Sequence, residues 1–450
     1  MTPLITYYGD DFTGASAVME VLSFAGVATM LFMQTPDKRM LEAYPDVRAI
    51  GVAGIARSKD PTWMEENLPS VFESLDRFQA PIMHYKTCST FDSAQHIGSI
   101  GKATELGSII RRDSWIPLVV GAPAMGRFQA FGNLFAKSGD KEYRLDRHPV
   151  MSRHPVTPMN EADLGRHLSK QTDLKIDVVS LVDMKMGNSD AAIQRKLQAG
   201  SKIIAIDVVD SETLAEAGRL IWQNGESSVF AVGSQGIEYA LVEHWIKEGK
   251  LSSNPEVPEL KPVDQLFAVS ASVSPTTAEQ ITYAENQGFT CIRLDATTAF
   301  DPDNLKAERC RALSASLTAL SEGRDVIVAS ARGPDDPAVT AMIATAEKLG
   351  TTLSDARDRL GAALGQLVAD IRRATGMTRI AIGGGDTSGH ALIALGADAL
   401  SAVAPLAPGG PLCRVHTQAH PDIDGLEVAL KGGQVGGPEF FVQTKAGMDN

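Results

Sequence analysis

The segment Tyr8-Gly-Asp-Asp-Phe-Thr-Gly sets two adjacent carboxylates, Asp10 and Asp11, just past a short apolar run. Carboxylates in a strand-to-helix turn accept hydroxyl hydrogen bonds, and one can act as a general base; Asp11 or Thr13 equally suits the cap of the following helix. Gly54-Ile-Ala-Arg-Ser-Lys brings Arg57 to a similar junction, where a guanidinium can grip a carboxylate in bidentate fashion or stand as a surface charge. A third junction, Tyr85-Lys-Thr-Cys-Ser-Thr-Phe-Asp-Ser, packs Lys86, Cys88, Ser89, Thr90 and Asp92 together. No nearby histidine serves as a base for Cys88, which is read as a contact and not as a nucleophile.

The C-terminal half carries the phosphate signal. Gly383-Gly-Gly-Asp-Thr-Ser-Gly-His follows an apolar run and precedes a helical period from Ala391. Such a turn exposes backbone N–H groups at the positive end of a helix. It lacks the Gly-Lys-Ser/Thr ending of a Walker A loop, and Ser388 stands where a dinucleotide fingerprint needs its third glycine. Ser270-Ala-Ser-Val-Ser-Pro adds hydroxyls, and Leu430-Lys-Gly-Gly allows close backbone approach. The His416, His420 pair suits a metal only on a regular helix, and Pro421 favours a loop, so the metal ligands stay unknown.

These junctions require a framework that gathers strand ends. Short apolar runs at 4–8, 28–33, 49–54, 81–85, 116–120, 176–181, 203–209 and 229–232 alternate with helical-period segments. A second alternation has strands at 266–270, 290–294, 326–330, 379–382 and 426–430, with helices over 276–287, 305–320 and 356–374. The polar segment Lys247–Pro262, with three prolines, reads as a linker, and Lys137–Glu161 as a long loop or lid. The fold class is therefore α/β with two domains, 1–250 and 263–450, each a mainly parallel sheet flanked by helices. In open parallel sheets ligands bind beyond the carboxyl ends of the strands, where these junctions fall.

Composition excludes several classes of partner. The 450 residues carry 42 Lys plus Arg against 55 Asp plus Glu, a formal charge of −13, so no broad basic footprint exists for nucleic acid or an acidic membrane. Four scattered cysteines without a Cys-x-x-Cys pair fit reduced thiols and a cytoplasmic location. No basic n-region precedes an apolar stretch at the N-terminus, and no apolar run reaches the ~18 residues of a membrane span.

Taken in order, Asp10-Asp-Phe-Thr-Gly-Ala, Lys86-Thr-Cys-Ser-Thr-Phe-Asp-Ser, His154-Pro-Val-Thr-Pro-Met, Ser270-Ala-Ser-Val-Ser-Pro and Gly383-Gly-Gly-Asp-Thr-Ser-Gly resemble the four-carbon acid sugar kinase family over essentially the whole chain. The resemblance implies an N-terminal sugar-acid-binding domain, a C-terminal nucleotide-binding domain, and phosphorylation of threonate, erythronate or a 3-oxo-tetronate with ATP and Mg2+. It implies substrate contacts from Asp10, Asp11, Arg57, Lys86, Cys88, Ser89 and Thr90. Nucleotide contacts are implied for Ser270, Ser272, Gly383, Gly384, Gly385, Asp386, Thr387, Ser388, Gly432 and Gly433. The wording around Lys86 is closer to the 3-oxo-tetronate branch. Departures at Ala94-Gln-His-Ile-Gly, Asp386 and Val273 make a branched oxo-acid such as 3-oxo-isoapionate a competing substrate.

The expected mechanism places the active site in the interdomain cleft. Asp10 or Asp11 is the base, Arg57 or Lys86 holds the substrate carboxylate, and the Gly383–Thr387 turn holds phosphate. A non-catalytic sugar-acid binding protein and a nicotinamide-dependent dehydrogenase are the rivals from other classes. The expected partners are a sugar acid and ATP, with no nucleic acid and no membrane; a homo-oligomer is left open.

Overall fold

The computed structural model describes residues 2–112, 115–154, 156–224 and 228–447. The chain forms two compact units, one of Met1–Met30 and Gln34–Glu256, the other of Leu31–Met33 and Val257–Asn450. The range 1–250 expected from sequence includes residues 31–33, which group instead with the second unit because Leu31 and Phe32 pair antiparallel with Leu400 and Ala399.

The strands of the N-terminal half are β1 (Ile5–Gly9), β2 (Thr29–Phe32), β3 (Ala49–Ala53), β4 (Ile82–Lys86), β5 (Ile116–Val119), β6 (Arg127–Ala130), β7 (Asn133–Ser138), β8 (Lys141–Arg144), β9 (Ile176–Val179), β10 (Ile203–Ile206) and β11 (Val229–Gly233). A parallel sheet runs in the order β3-β1-β4-β11-β5-β10-β9. Helices cover both faces of such a sheet, which explains why its strands read as continuous apolar runs and not as alternating ones. In register opposite Tyr7 is Gly51, where a Cβ would stand 2.0 Å from the tyrosine ring, so only glycine lets that ring lie across β3. Tyr8, Phe72, Tyr85 and Phe230 form an edge-to-face and stacked cluster with centroids 5.4–6.2 Å apart. Each fully buried aromatic or aliphatic side chain of this kind contributes about 1.5–3 kcal/mol.

β6, β7 and β8 form a separate antiparallel sheet. The segment read as a loop or lid, Lys137–Glu161, therefore holds the end of β7, all of β8 and two short turns, and it is pinned to the core by Leu145, Met151 and Met159. Its polar face hid the pattern, since strands of a small one-sided sheet bury few side chains.

In the second unit the strands are β12 (Phe267–Ser270), β13 (Thr290–Arg293), β14 (Val326–Ala329), β15 (Arg379–Gly383), β16 (Ala399–Ala407), β17 (Gly410–His416) and β18 (Glu427–Lys431). Their order is β13-β14-β12-β15-β18-β17-β16, with the first five parallel and the last two antiparallel. The hairpin β16–β17 and the helix Pro337–Leu349 were not expected from sequence. In β16 alanines and Pro405 supply little strand propensity; the two-residue turn Pro408-Gly409, with Gly409 at φ 79°, nevertheless closes the hairpin.

In each unit the chain crosses from one side of its first parallel strand to the other. From β1 the chain builds β3 on one side and then crosses to β4 on the other; from β12 it builds β13 and β14 and then crosses to β15. The carboxyl ends of adjacent strands diverge at such a switch and leave a crevice. Among the described residues no helix is long and apolar enough to cross a membrane.

Candidate active site

At the β1/β4 switch, main-chain bonds stitch the sequence-predicted junctions together. Asp10 N–H donates to Lys86 O (2.9 Å), Arg57 N–H to Asp10 O (3.0 Å) and Thr87 N–H to Gly233 O (2.7 Å). The two adjacent carboxylates then part company. Asp11 caps the helix Phe12–Phe24, its Oδ1 accepting from Gly14 N–H at 2.8 Å, and its Oδ2 pairs with Arg57 Nη2 at 2.9 Å. Asp10 is 2% exposed and its Oδ1 has no partner. Burial and the neighbouring Asp11 raise the Asp10 carboxyl to about 7, against the opposing pull of Arg57 and Lys86. Lys86 is buried, its ammonium donating to Thr87 O at 2.6 Å.

The loop after β4 turns sharply at Phe91, a buried residue held at φ 55°, whose N–H donates to Cys88 O. A non-glycine residue in this region is strained and persists only where its surroundings hold it; here the ring is buried edge-on to His167. The turn sets Cys88 Sγ 3.0 Å from Thr90 Oγ1, which in turn donates to Asp92 Oδ1 at 2.6 Å. Burial, reinforced by Asp92, pushes the Cys88 thiol up to about 11, so it is a neutral thiol and a poor nucleophile. Burial opposes ionisation of Asp92, but Arg57 and the Thr90 hydroxyl outweigh it and hold that carboxyl below its ordinary value. Ser89 lies half-buried in the same loop.

Several supporting residues receive no site role from the sequence alone. Thr157 Oγ1 lies 3.5 Å from Asp92 Oδ2 and 2.9 Å from His154 Nδ1, so the His154–Met159 motif reaches this site; Pro155 lies outside the described residues. Beneath it, the fully buried His84 has Nδ1 2.6 Å from Glu238 Oε1 and Nε2 3.1 Å from Gly233 O, tying β4 to the β11 junction. The only signal was a charged type inside an apolar run.

The second constellation sits at the β12/β15 switch. Gly384, at φ 119°, precedes the helix Gly385–Leu395, and a Cβ on it would meet Thr387 Oγ1 at 3.0 Å. Ser388 turns its hydroxyl back onto Gly384 O at 2.6 Å. Ser270 Oγ accepts from Ser272 N–H (3.2 Å), and a Cβ on Gly383 would lie 3.0 Å from that oxygen. Ser274 caps the helix Pro275–Asn286 and its hydroxyl donates to Gly433 O. The starts of two helices thus face one crevice, with Gly433 packed on Ser272 and Ser274 and Gly432 next to it in sequence. The side chain of Asp386 lies outside the described residues.

The Lys431 side chain likewise receives no site role from the sequence alone. The residue is 1% exposed, its carbonyl accepts from Gly384 N–H at 2.9 Å, and its ammonium donates to Thr277 Oγ1 at 2.8 Å; that hydroxyl in turn donates to Ser272 Oγ at 3.0 Å. Burial lowers its pKa to about 8. Beside the Ser270–Ser274 loop is an apolar hollow of about 80 Å³ lined by Ala271, Val273, Ala331, Val339, Met342 and Leu360, among others. His416 ends β17, with its Nε2 2.8 Å from Ser401 Oγ.

Residues 5–241 match a family described as a sugar-binding N-terminal domain, and residues 267–441 one described as a nucleotide-binding C-terminal domain. The chain is 45% identical over 444 residues to a 3-oxo-isoapionate kinase of Paraburkholderia graminis, covering 99% of this chain and 94% of the relative. It is 28% identical over 447 residues to a 3-oxo-tetronate kinase of Cupriavidus necator, covering 98% and 96%. A solved structure from Salmonella typhimurium LT2 superposes with a TM-score of 0.78 at 22% identity over 98% of each chain, a likeness of fold alone. With both halves matched and a full-length relative at 45% identity, the chain belongs to the four-carbon acid sugar kinase family.

Proposed function

We propose that this protein uses ATP to phosphorylate a hydroxyl of a small branched oxo-sugar acid of the 3-oxo-isoapionate type, with 3-oxo-tetronates as weaker substrates. The observation that carries the chemistry is Asp10, a buried carboxylate with an unpartnered oxygen, flanked by Arg57 and Lys86 at a sheet switch point. The substrate class rests on the 45% identity to a 3-oxo-isoapionate kinase against 28% to a 3-oxo-tetronate kinase.

In this mechanism Asp10 accepts the proton of the acceptor hydroxyl as its oxygen bonds to the γ-phosphorus and the bond to ADP breaks. Asp11 occupies one edge of the Arg57 guanidinium and leaves the rest of its donor fork for the substrate carboxylate. Thr90 and Asp92 hold the loop that carries Cys88 and Ser89 against the sugar acid. In the second unit, N–H groups at the start of the helix Gly385–Leu395, the Ser270 and Ser272 hydroxyls and the Lys431 charge take up phosphate charge. The apolar hollow beside Ala271 receives the base.

Among the described residues no three His, Cys, Asp or Glu side chains gather to hold a metal. Mg2+ needs no such cage, because it keeps waters and binds chiefly to phosphates with one or two carboxylates. The residue set fits an ion carried in on ATP, where it neutralises phosphate charge.

A coupled ADP-release assay across 3-oxo-isoapionate, 3-oxo-tetronates, threonate and erythronate tests the reading. The expected result is the highest kcat/KM on the branched oxo-acid. Release of ADP with none of these acids overturns it.

A further inference from the structure

At the opposite end of the N-terminal sheet from Asp10, a cavity of about 190 Å³ opens beside Leu4, Val27 and Arg48, which precede β1, β2 and β3. Two tryptophans, Trp222 and Trp245, form its other walls, with ring centroids 5.3 Å apart and planes at 89°. Two features set it apart from an ordinary packing defect. Trp245 is 1% exposed, yet its indole N–H has no hydrogen-bond partner, and Arg48 Nε is likewise buried and unpartnered. Buried donors are almost always paired in folded proteins; these two lie just beneath the cavity surface, on side chains that line it, and meet an acceptor in the cavity when those side chains turn toward it. Second, the charges around it are positive. Lys250 stands 5.3 Å from the Trp222 ring centroid, and among the described residues neither it nor Arg48 makes an ion pair with a carboxylate.

We propose that this cavity binds a small monocarboxylate with a flat apolar body. The aromatic walls take the body, the indole N–H and the Arg48 guanidinium take the carboxylate oxygens, and Lys250 supplies further positive charge at the cavity wall. The volume lies below the roughly 300–1,000 Å³ of drug-sized sites, which restricts the ligand to a single ring or a short branched chain. This site is separate from the phosphorylation chemistry, and its existence does not depend on the proposed function.

Benzoate is the probe, titrated into the full chain with tryptophan fluorescence and calorimetry as readouts, and with benzyl alcohol and inorganic phosphate as controls. The expected result is saturable binding with a Kd on the order of 1 mM or tighter. Arg48→Met and Trp245→Phe, the latter read by calorimetry, should each weaken it by at least ~10-fold through loss of one charge-assisted bond. Arg57→Ala, which alters only the candidate active site, should leave it unchanged. Circular dichroism of each variant separates a lost site from a lost fold, and Trp245→Phe, which keeps an aromatic wall without the N–H, keeps the test valid where Arg48→Met does not fold. The proposal is overturned by non-saturable binding, by benzyl alcohol or phosphate binding as well as benzoate, by folded variants that bind normally, or by loss of binding in Arg57→Ala.

Discussion

Two neighbouring aspartates, identical in type, sit in different physical worlds. Asp11 spends both oxygens on a helix cap and Arg57, whereas Asp10 is enclosed with an oxygen free. A base must be ionised to work, so kcat/KM is expected to rise with pH through about 7 and level off above it, following the raised Asp10 carboxyl. Asp10→Asn should lower kcat/KM by ~10²–10⁴-fold and abolish that limb. The same shift has a stability sign. Between the ordinary carboxylate range and about 7 the folded chain binds more protons than the unfolded one, so stability falls as pH rises across that window. Asp10→Asn should therefore lose this fall, and its denaturant midpoint should exceed wild type at pH 8. Lys431 makes the opposite case, since burial drives its proton off near 8. If its charge holds phosphate, KM for ATP should climb above pH 8 in wild type; Lys431→Met should start high and lack that climb, with KM for the sugar acid unmoved. A wild-type KM for ATP flat from pH 7 to 9 would remove Lys431 from the nucleotide site.

At the scale of elements, each site is made by a strand, a turn and a helix start lying beside a second such set. Gly384 shows how little freedom the turn has, because its φ of 119° and the nearby Thr387 hydroxyl both exclude a side chain. Gly384→Ala should cost about 1–3 kcal/mol of stability from backbone strain, and it should weaken ADP binding in a calorimetric titration. Unchanged ADP affinity would show that the turn does not hold phosphate. The elements differ in how far the sequence reveals them. Parallel strands buried on both faces print as solid runs such as Ile203–Ile206 and Val326–Ala329. The hairpin of β16 and β17 left no such mark, since the alanines and Pro405 of β16 have little strand propensity of their own and are held by pairing with β17 and β2.

For the whole molecule, the constellation proposed for the nucleotide lies entirely within the unit of Val257–Asn450 and the one around Asp10 within that of Met1–Met30 and Gln34–Glu256. ATP at 100 times its Kd should stabilise the unit that binds it by ~2.7 kcal/mol. Differential scanning calorimetry should show that gain with ATP alone, and an ATP-independent gain with the sugar acid alone; absence of the first would argue against the nucleotide reading. The order of motifs, the apolar runs and the net negative charge are local or additive properties, so the sequence by itself determined the family resemblance and the α/β class, and the charge balance led only to the expectation of no polyanion partner. Which aspartate keeps a free oxygen, which buried lysine lies under the serine loop, and that strands 1 and 4 or 12 and 15 become neighbours were decided only by the tertiary structure. These depend on crossover topology and on burial, and both join residues far apart in the chain.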